Sequence, residues 1–212
     1  MVPVKTLDIA KTRLRGAADH GVGEPTAHAR LALALAHDTV AAVRATIGVG
    51  RLLVVSSDPV VAAELAAVGV EVVPDGPVAG LNEAYAHGAR VLGTTGPVAA
   101  LQADLPALKP AELDAALAAA WAAFSAGAPA AFCADTEGTG TTLLTTAPHH
   151  ELAPRFGIGS AARHRAAGAV ELDGDWPGLR RDVDTADDLR VAAELGLGAH
   201  TRCVLAPTSP GC

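Results

Sequence analysis

The sequence predicts a single-domain α/β protein with a mostly parallel sheet, and three observations predict it. Short apolar, β-branched runs alternate with longer alanine-rich stretches, the pattern of strands and helices taking turns. Aromatic residues are only 3% of a chain that is 50% hydrophobic, so Ala, Val and Leu must build the core, which suits helices packed closely on a buried sheet. The 212 residues carry no composition break or long linker and suffice for one sizeable core.

Strands are expected at residues 2–4, 52–56, 70–73, 98–103 and 130–134. Helices are expected at 26–46, 59–67, 82–92 and 110–126, with Pro59 and Pro110 in the first turn, where proline is tolerated. The segment 138–146 is rich in Gly and Thr and alternates poorly; with the loop holding Pro148 and Pro154 it reads as a functional insertion. A short helix should start at Ser160, a strand should cover 169–172, and a last helix should start at Thr185, where Thr185 and Asp188 have capping-box spacing. The domain is expected to span 1–198, with 199–212 a tail, disordered from Ala206 onward.

The formal net charge is -7, and no basic block forms a phosphate-tracking stripe, which argues against nucleic acid as a partner. Apolar runs such as 31–36 and 52–55 are far shorter than the roughly 20 residues of a membrane span, and the N-terminus is unlike a signal peptide. A cytoplasmic location is expected. Cys133, Cys203 and Cys212 are widely separated and suggest neither a disulfide framework nor a zinc site. His149 and His150 are adjacent, so they point apart and read as loop residues.

Asp104 ends an apolar strand in the run 101–106 and is followed by Pro106; ligands of open α/β sheets sit beyond such strand ends. Capping of the following turn is an equally good account of it. Asp182 and Asp184 flank Val183, so on an extended strand both carboxylates face one side, where a cation would relieve their repulsion. Lys5, Lys11 and Arg13 follow the first strand and could neutralise a triphosphate, although a solvated helix start is the commoner use of such residues. Gly157 and Gly159 lead into a helix at Ser160 whose amides could hold an anion, and Arg163, His164 and Arg165 would sit on its first turn.

Three look-alikes are set aside. The run 157–162 has dinucleotide-fingerprint spacing with no strand before it, Gly159 and Ser160 lack the nucleophile-elbow order, and 138–142 lacks the Gly-Lys pair of a P-loop.

Taken in order, Pro3-Val4-Lys5, Ala10-Lys11-Thr12-Arg13-Leu14, Gly80-Leu81-Asn82, Gln102-Ala103-Asp104-Leu105-Pro106, Gly138-Thr139-Gly140-Thr141, Arg155-Phe156-Gly157, Ser160-Ala161-Ala162-Arg163-His164 and Asp182-Val183-Asp184-Thr185 resemble the phosphoenolpyruvate or 2-phospho-L-lactate guanylyltransferases of deazaflavin coenzyme F(420) synthesis. The likeness runs from Val2 to about Gly198. It implies a single-domain nucleotidyltransferase (GT-A-like) three-layer fold that uses GTP and magnesium. By position, Thr141, Gly157 and Ser160 match the residues that hold the phospho-acid. Asp104 and Asp182 match the metal-binding acids, with Asp184 as a substitute. Lys5, Gly80, Leu81 and Asn82 match the nucleotide side, and Lys11 and Arg13 with Asp104 the catalytic set.

The implied reaction is in-line attack of an acceptor phosphate oxygen on the α-phosphorus of GTP, with pyrophosphate leaving toward Lys5, Lys11 and Arg13. The small-molecule partners would be GTP and phosphoenolpyruvate; a homodimer stays open. One departure from the family pattern is that only four residues precede the basic loop, so the first strand is expected to be short. A transferase for another cofactor precursor or a sugar phosphate, and a non-catalytic nucleotide-binding subunit, are the alternative readings.

Overall fold

A computed structural model describes residues 1–7, 14, 16–19, 21–93 and 95–206. Three short parallel strands, β1 (Val2–Pro3), β2 (Leu53–Val55) and β3 (Glu71–Val73), form one sheet in the order β1-β2-β3. Four more, β4 (Val98–Leu101), β5 (Ala130–Ala134), β6 (Thr141–Thr146) and β7 (Val170–Glu171), form the second in the order β4-β6-β5-β7. Met1 joins the two. Its amino group donates to Ala99 O at 2.6 Å and its carbonyl accepts from Leu101 N at 3.0 Å, the bonding pattern of a parallel pair. The strands therefore run β3-β2-β1-β4-β6-β5-β7, with β6 alone reversed.

The next donor from β1 toward β4 would be the nitrogen of Pro3, which has no hydrogen, so β1 loses one rung of this ladder after Met1. The boundary between β1 and β4 is where the strand order changes direction. In open α/β sheets that switch point, at the carboxyl ends of the strands, is where ligands bind. Burial of the Met1 amino group pushes its pKa down to about 5.

Alternate strand residues feed two cores. Val2, Val4 and Val54 pack with helices α1 (Pro25–Ala45), α2 (Pro59–Ala67) and α4 (Pro110–Ser125) on one face. Met1, Leu53 and Val55 pack with α3 (Leu81–Leu92) and α5 (Ser160–Ala166) on the other, giving three layers. The short helix α6 (Pro177–Arg180) leads to α7 (Ala186–Leu195), which carries the expected capping box between Thr185 and Asp188.

The structure differs from the sequence reading in several segments. The supposed insertion at 138–146 contains β6, the strand paired with both β4 and β5. All six of its residues are buried, so it has no polar face and no alternation to read. Beyond Gly198 the chain continues as α8 (Ala199–Leu205). Asp38 of α1 accepts from His200 N at 2.9 Å and Thr201 N at 2.8 Å, and so caps that helix. Among the described residues no helix is long and apolar enough to cross a membrane.

Candidate functional site

The carboxyl ends of β1, β4 and β5 carry the candidate residues Lys5, Asp104 and Asp135. Lys5 leaves β1 exposed, and Leu7 N donates to Asp58 Oδ2 at 2.9 Å, tying the loop to the N-cap of α2. Lys11 and Arg13 lie outside the described residues.

Asp104 is buried beyond the end of β4 and is held by its neighbours. The Thr39 hydroxyl accepts from Leu105 N at 2.9 Å and donates to Ala103 O at 3.1 Å, so it grips the chain on both sides of the acid. Asp104 O accepts from Val183 N at 3.0 Å, which draws the segment 182–184 alongside. Val183 is fully buried, Asp182 half-buried and Asp184 exposed, and the segment forms no strand of the sheet, contrary to the extended strand expected there.

Asp182 meets two acids that the sequence reading passed over, Asp135 and Glu137: one carboxylate oxygen from each lies within 4.8 Å of the others. An oxygen-only set of this kind suits a hard divalent cation. Asp135 also accepts from Thr139 N at 2.9 Å and Gly140 N at 2.7 Å, while Glu137 pairs with Arg181 at 3.0 Å. Asp135 follows β5 as Asp104 follows β4, and the strand-ending rule that selects one selects the other.

The loop 155–159 leads into α5 and is bound to the start of α3 through Asn82. Gly157 has φ 112°, a conformation open to glycine and strained for other residues; a Cβ there would meet only Arg163 Nη2 at 3.5 Å, so backbone shape and not crowding requires the glycine. The Arg163 guanidinium is spent on this loop: Nη2 donates to Arg155 O at 2.9 Å, and Nη1 to Ile158 O. Arg165 pairs with Glu171. Arg163, His164 and Arg165 lie in the last turn of the seven-residue α5, where the two arginine charges suit the helix dipole, so the expectation that these residues sit on the first turn is corrected.

Thr141 and Ser160 meet at 3.0 Å between their hydroxyl oxygens, both buried. His164 lies 2.9 Å from Thr141 through Nδ1, while its Nε2 accepts from Arg155 N at 3.0 Å. Burial, and secondarily Arg163 and Arg155, push its pKa down to about 4, so the imidazole is neutral near pH 7.

Gly80 and Asn82 open α3. Gly80 has φ 137° at the N-cap, and a Cβ there would run into the Glu83 carboxylate. Leu81 packs against the core that holds Phe156. Asn82 accepts from Phe156 N at 2.7 Å and donates to Phe156 O at 3.2 Å, joining its loop to the 155–159 loop. A cavity of about 810 Å³ opens elsewhere, at the amino ends of the strands among Met1, Val98, Leu117 and Trp121, and contains none of these groups.

The profile of the MobA-like NTP transferase domain matches residues 30–170, which makes the chain a nucleotidyltransferase. Solved structures agree on the fold. A putative nucleotide-diphospho-sugar transferase from Desulfovibrio desulfuricans aligns with TM-score 0.64 at 20% identity, over 90% of this chain and 83% of that one. A nucleotidyl transferase from Methanothermobacter thermautotroptrophicus aligns with TM-score 0.58 at 20% identity, over 92% and 96%. The chain belongs to the phosphoenolpyruvate guanylyltransferase family: it is 55% identical over 205 residues to the phosphoenolpyruvate guanylyltransferase of Geodermatophilus obscurus, covering 97% of this chain and 92% of that one. It is 52% identical over 210 residues to that of Streptomyces coelicolor, covering 97% and 94%.

Proposed function

We propose that this protein transfers GMP from GTP to phosphoenolpyruvate and releases pyrophosphate. The observation that carries this reading is the junction of two loops: Asn82, from the loop read as nucleotide-binding, brackets Phe156, from the loop read as acceptor-binding. Two anionic reactants held by these loops would lie side by side, as a direct transfer requires. The names of the relatives supply the acceptor.

In this reading a phosphate oxygen of phosphoenolpyruvate attacks the α-phosphorus of GTP, a new P–O bond forms, and the bond to the β-phosphate oxygen breaks. Thr141, Gly157 and Ser160 hold the phospho-acid, Gly80, Leu81 and Asn82 the guanosine side, and Lys5, Lys11 and Arg13 the departing pyrophosphate. Magnesium would be held by Asp104 and Asp182, with Asp184 as a substitute; Asp135 and Glu137 each set a carboxylate oxygen within 4.8 Å of Asp182's, and the ion, when bound, would supply charge stabilisation for the phosphates. The substrates are charged, phosphorylated metabolites of the cytoplasm, and a homodimer is compatible with this chemistry.

The test is an acceptor panel. With GTP and magnesium, the protein is offered phosphoenolpyruvate, 2-phospho-L-lactate, 3-phosphoglycerate or a sugar 1-phosphate, and pyrophosphate release and product mass are followed. Fastest release with phosphoenolpyruvate is expected. Preference for the sugar phosphate, or GTP binding without release, would overturn the reading.

A further inference from the structure

The hydroxyl pair of Thr141 and Ser160 has a proton count that His164 decides. The Arg155 N–H points at His164 Nε2 from 3.0 Å, so that nitrogen must present its lone pair. In the neutral ring the hydrogen therefore sits on Nδ1, which donates to Thr141 Oγ1 at 2.9 Å. The opposite tautomer would set two N–H groups against each other. Three protons then serve the cluster, one from the imidazole and one from each hydroxyl. Two are consumed in its two contacts, His164 to Thr141 and the 3.0 Å contact between Thr141 and Ser160.

The third belongs to whichever hydroxyl accepts without donating, and among the described residues no protein acceptor is paired with it. Thr141 is 3% exposed, Ser160 1% and His164 1%, so bulk water is a poor substitute. A buried donor left over in this way is costly unless an acceptor arrives. An anion is such an acceptor, and deprotonated phosphate or carboxylate oxygens accept without competing to donate.

We infer that His164 is a positioning residue: by donating from Nδ1 it fixes the Thr141–Ser160 hydroxyl pair so that the pair offers one proton to an anionic group of the phospho-acid. This rests on the acceptor-site reading above and adds a residue to it. His164 itself touches no reacting atom. Its task is to occupy an acceptor position on Thr141 and so keep the hydroxyl pair facing the ligand as a donor, which favours a dianionic ester over a neutral alcohol or amide of similar size.

Two substitutions separate the ends of the ring. In His164→Asn the side-chain amide nitrogen takes the place of Nδ1, keeping the donor for Thr141 and losing the acceptor for Arg155. His164→Gln does the reverse, since its longer side chain reaches the Nε2 position. The expected result is a phosphoenolpyruvate KM raised about tenfold in His164→Gln, with a GTP KM within about twofold of wild type, and an Asn variant that recovers most of the loss. Equal damage in both variants, or parallel rises in both KM values, would overturn the inference.

A measurement on the unaltered protein stands whether or not the variants fold. Nitrogen-15 NMR of labelled histidine should show a neutral ring protonated at Nδ1, whose resonance moves on adding phosphoenolpyruvate and stays put on adding a non-hydrolysable GTP analogue. A ring protonated at Nε2, or one indifferent to phosphoenolpyruvate, overturns it. If wild-type protein releases pyrophosphate with no phospho-acid, the functional reading itself fails and takes this inference with it. A normal wild-type rate with an unchanged phosphoenolpyruvate KM in His164→Gln removes the inference alone.

Discussion

Asn82 holds Phe156 by both backbone polar groups, accepting from its N–H at 2.7 Å and donating to its carbonyl at 3.2 Å, across 74 positions of sequence. One side chain thus couples the start of α3 to the 155–159 loop, and Tyr85, one turn further along α3, stacks on the Phe156 ring at 4.3 Å. In the proposed function the two substrate sites share this wall. Asn82→Ala should therefore raise the KM for GTP and for phosphoenolpyruvate together, by roughly threefold to tenfold each, the scale of one or two hydrogen bonds. Initial-rate kinetics with each substrate varied in turn checks this; a rise in the GTP value alone would mean that the coupling has no functional weight.

The acids make a second prediction. Asp104→Asn and Asp182→Asn should each lower kcat by about 100-fold, the scale of removing one charge-stabilising group, and raise the magnesium concentration needed for half-maximal rate. Asp184→Asn should cost less, because Asp184 is exposed while Asp182 belongs to the cluster with Asp135 and Glu137. Asp135→Asn is the informative comparison. It keeps an acceptor for Thr139 N and Gly140 N but loses the charge, so a kcat loss with an unchanged melting temperature would point to metal binding and not turn geometry. Wild-type magnesium dependence in all four variants would remove the proposed metal role.

Much of this was legible before any coordinates, and the exceptions have physical causes. Helix α2 and strand β5 fall on the expected residues because a first-turn proline with an alanine-rich run, and a short apolar run, are local signals. Strand β6 was hidden because both of its faces are buried, which erases the period of two. Asp104 and Asp182 stand out as strand-ending or paired acids, whereas Glu137 meets Asp182 only in the fold, where Thr136 N bonds to Arg180 O and brings two distant turns together. The same is true of Thr39, an ordinary helix residue until the fold sets Leu105 N against it, and of the contacts by which His164 joins Arg155 N to Thr141. Nothing local marks α8 either, whose start is capped from α1 by Asp38.

His164 should also make the fold acid-sensitive. In the unfolded chain its pKa is near 6.5, and burial lowers it to about 4 in the folded protein. Between these values the unfolded chain takes up a proton that the folded chain refuses, so stability falls as the pH drops from about 6.5 toward 4 and is retained above that window. His37 is shifted the same way, first by burial and then by His200, whose ring stacks on it at 4.7 Å. Melting temperatures measured from pH 7 to pH 4.5 should decline, and more shallowly in His164→Asn, which has nothing to titrate at this position. Equal slopes in the two proteins would show that His164 does not carry the effect.

Thr39 supplies the last test, because its hydroxyl is the support on which Asp104 rests. It is fully buried in α1, accepts from Leu105 N at 2.9 Å, and shares its proton between Leu35 O at 3.0 Å and Ala103 O at 3.1 Å. Thr39→Val keeps the shape and removes the hydroxyl, leaving Leu105 N buried without that acceptor at a cost of about 1–3 kcal/mol. The backbone on both sides of Asp104 then loses its tether. A carboxylate that must meet a cation within a few tenths of an ångström is sensitive to such a change, so kcat should fall and the magnesium requirement should rise while the KM for phosphoenolpyruvate stays near wild type. Thr39→Ser retains the hydroxyl and should restore both kcat and magnesium dependence, even if the lost methyl group lowers the melting temperature slightly. If Thr39→Val melts earlier but turns over with wild-type kcat and magnesium dependence, Thr39 serves the fold alone and Asp104 is held in place by other contacts.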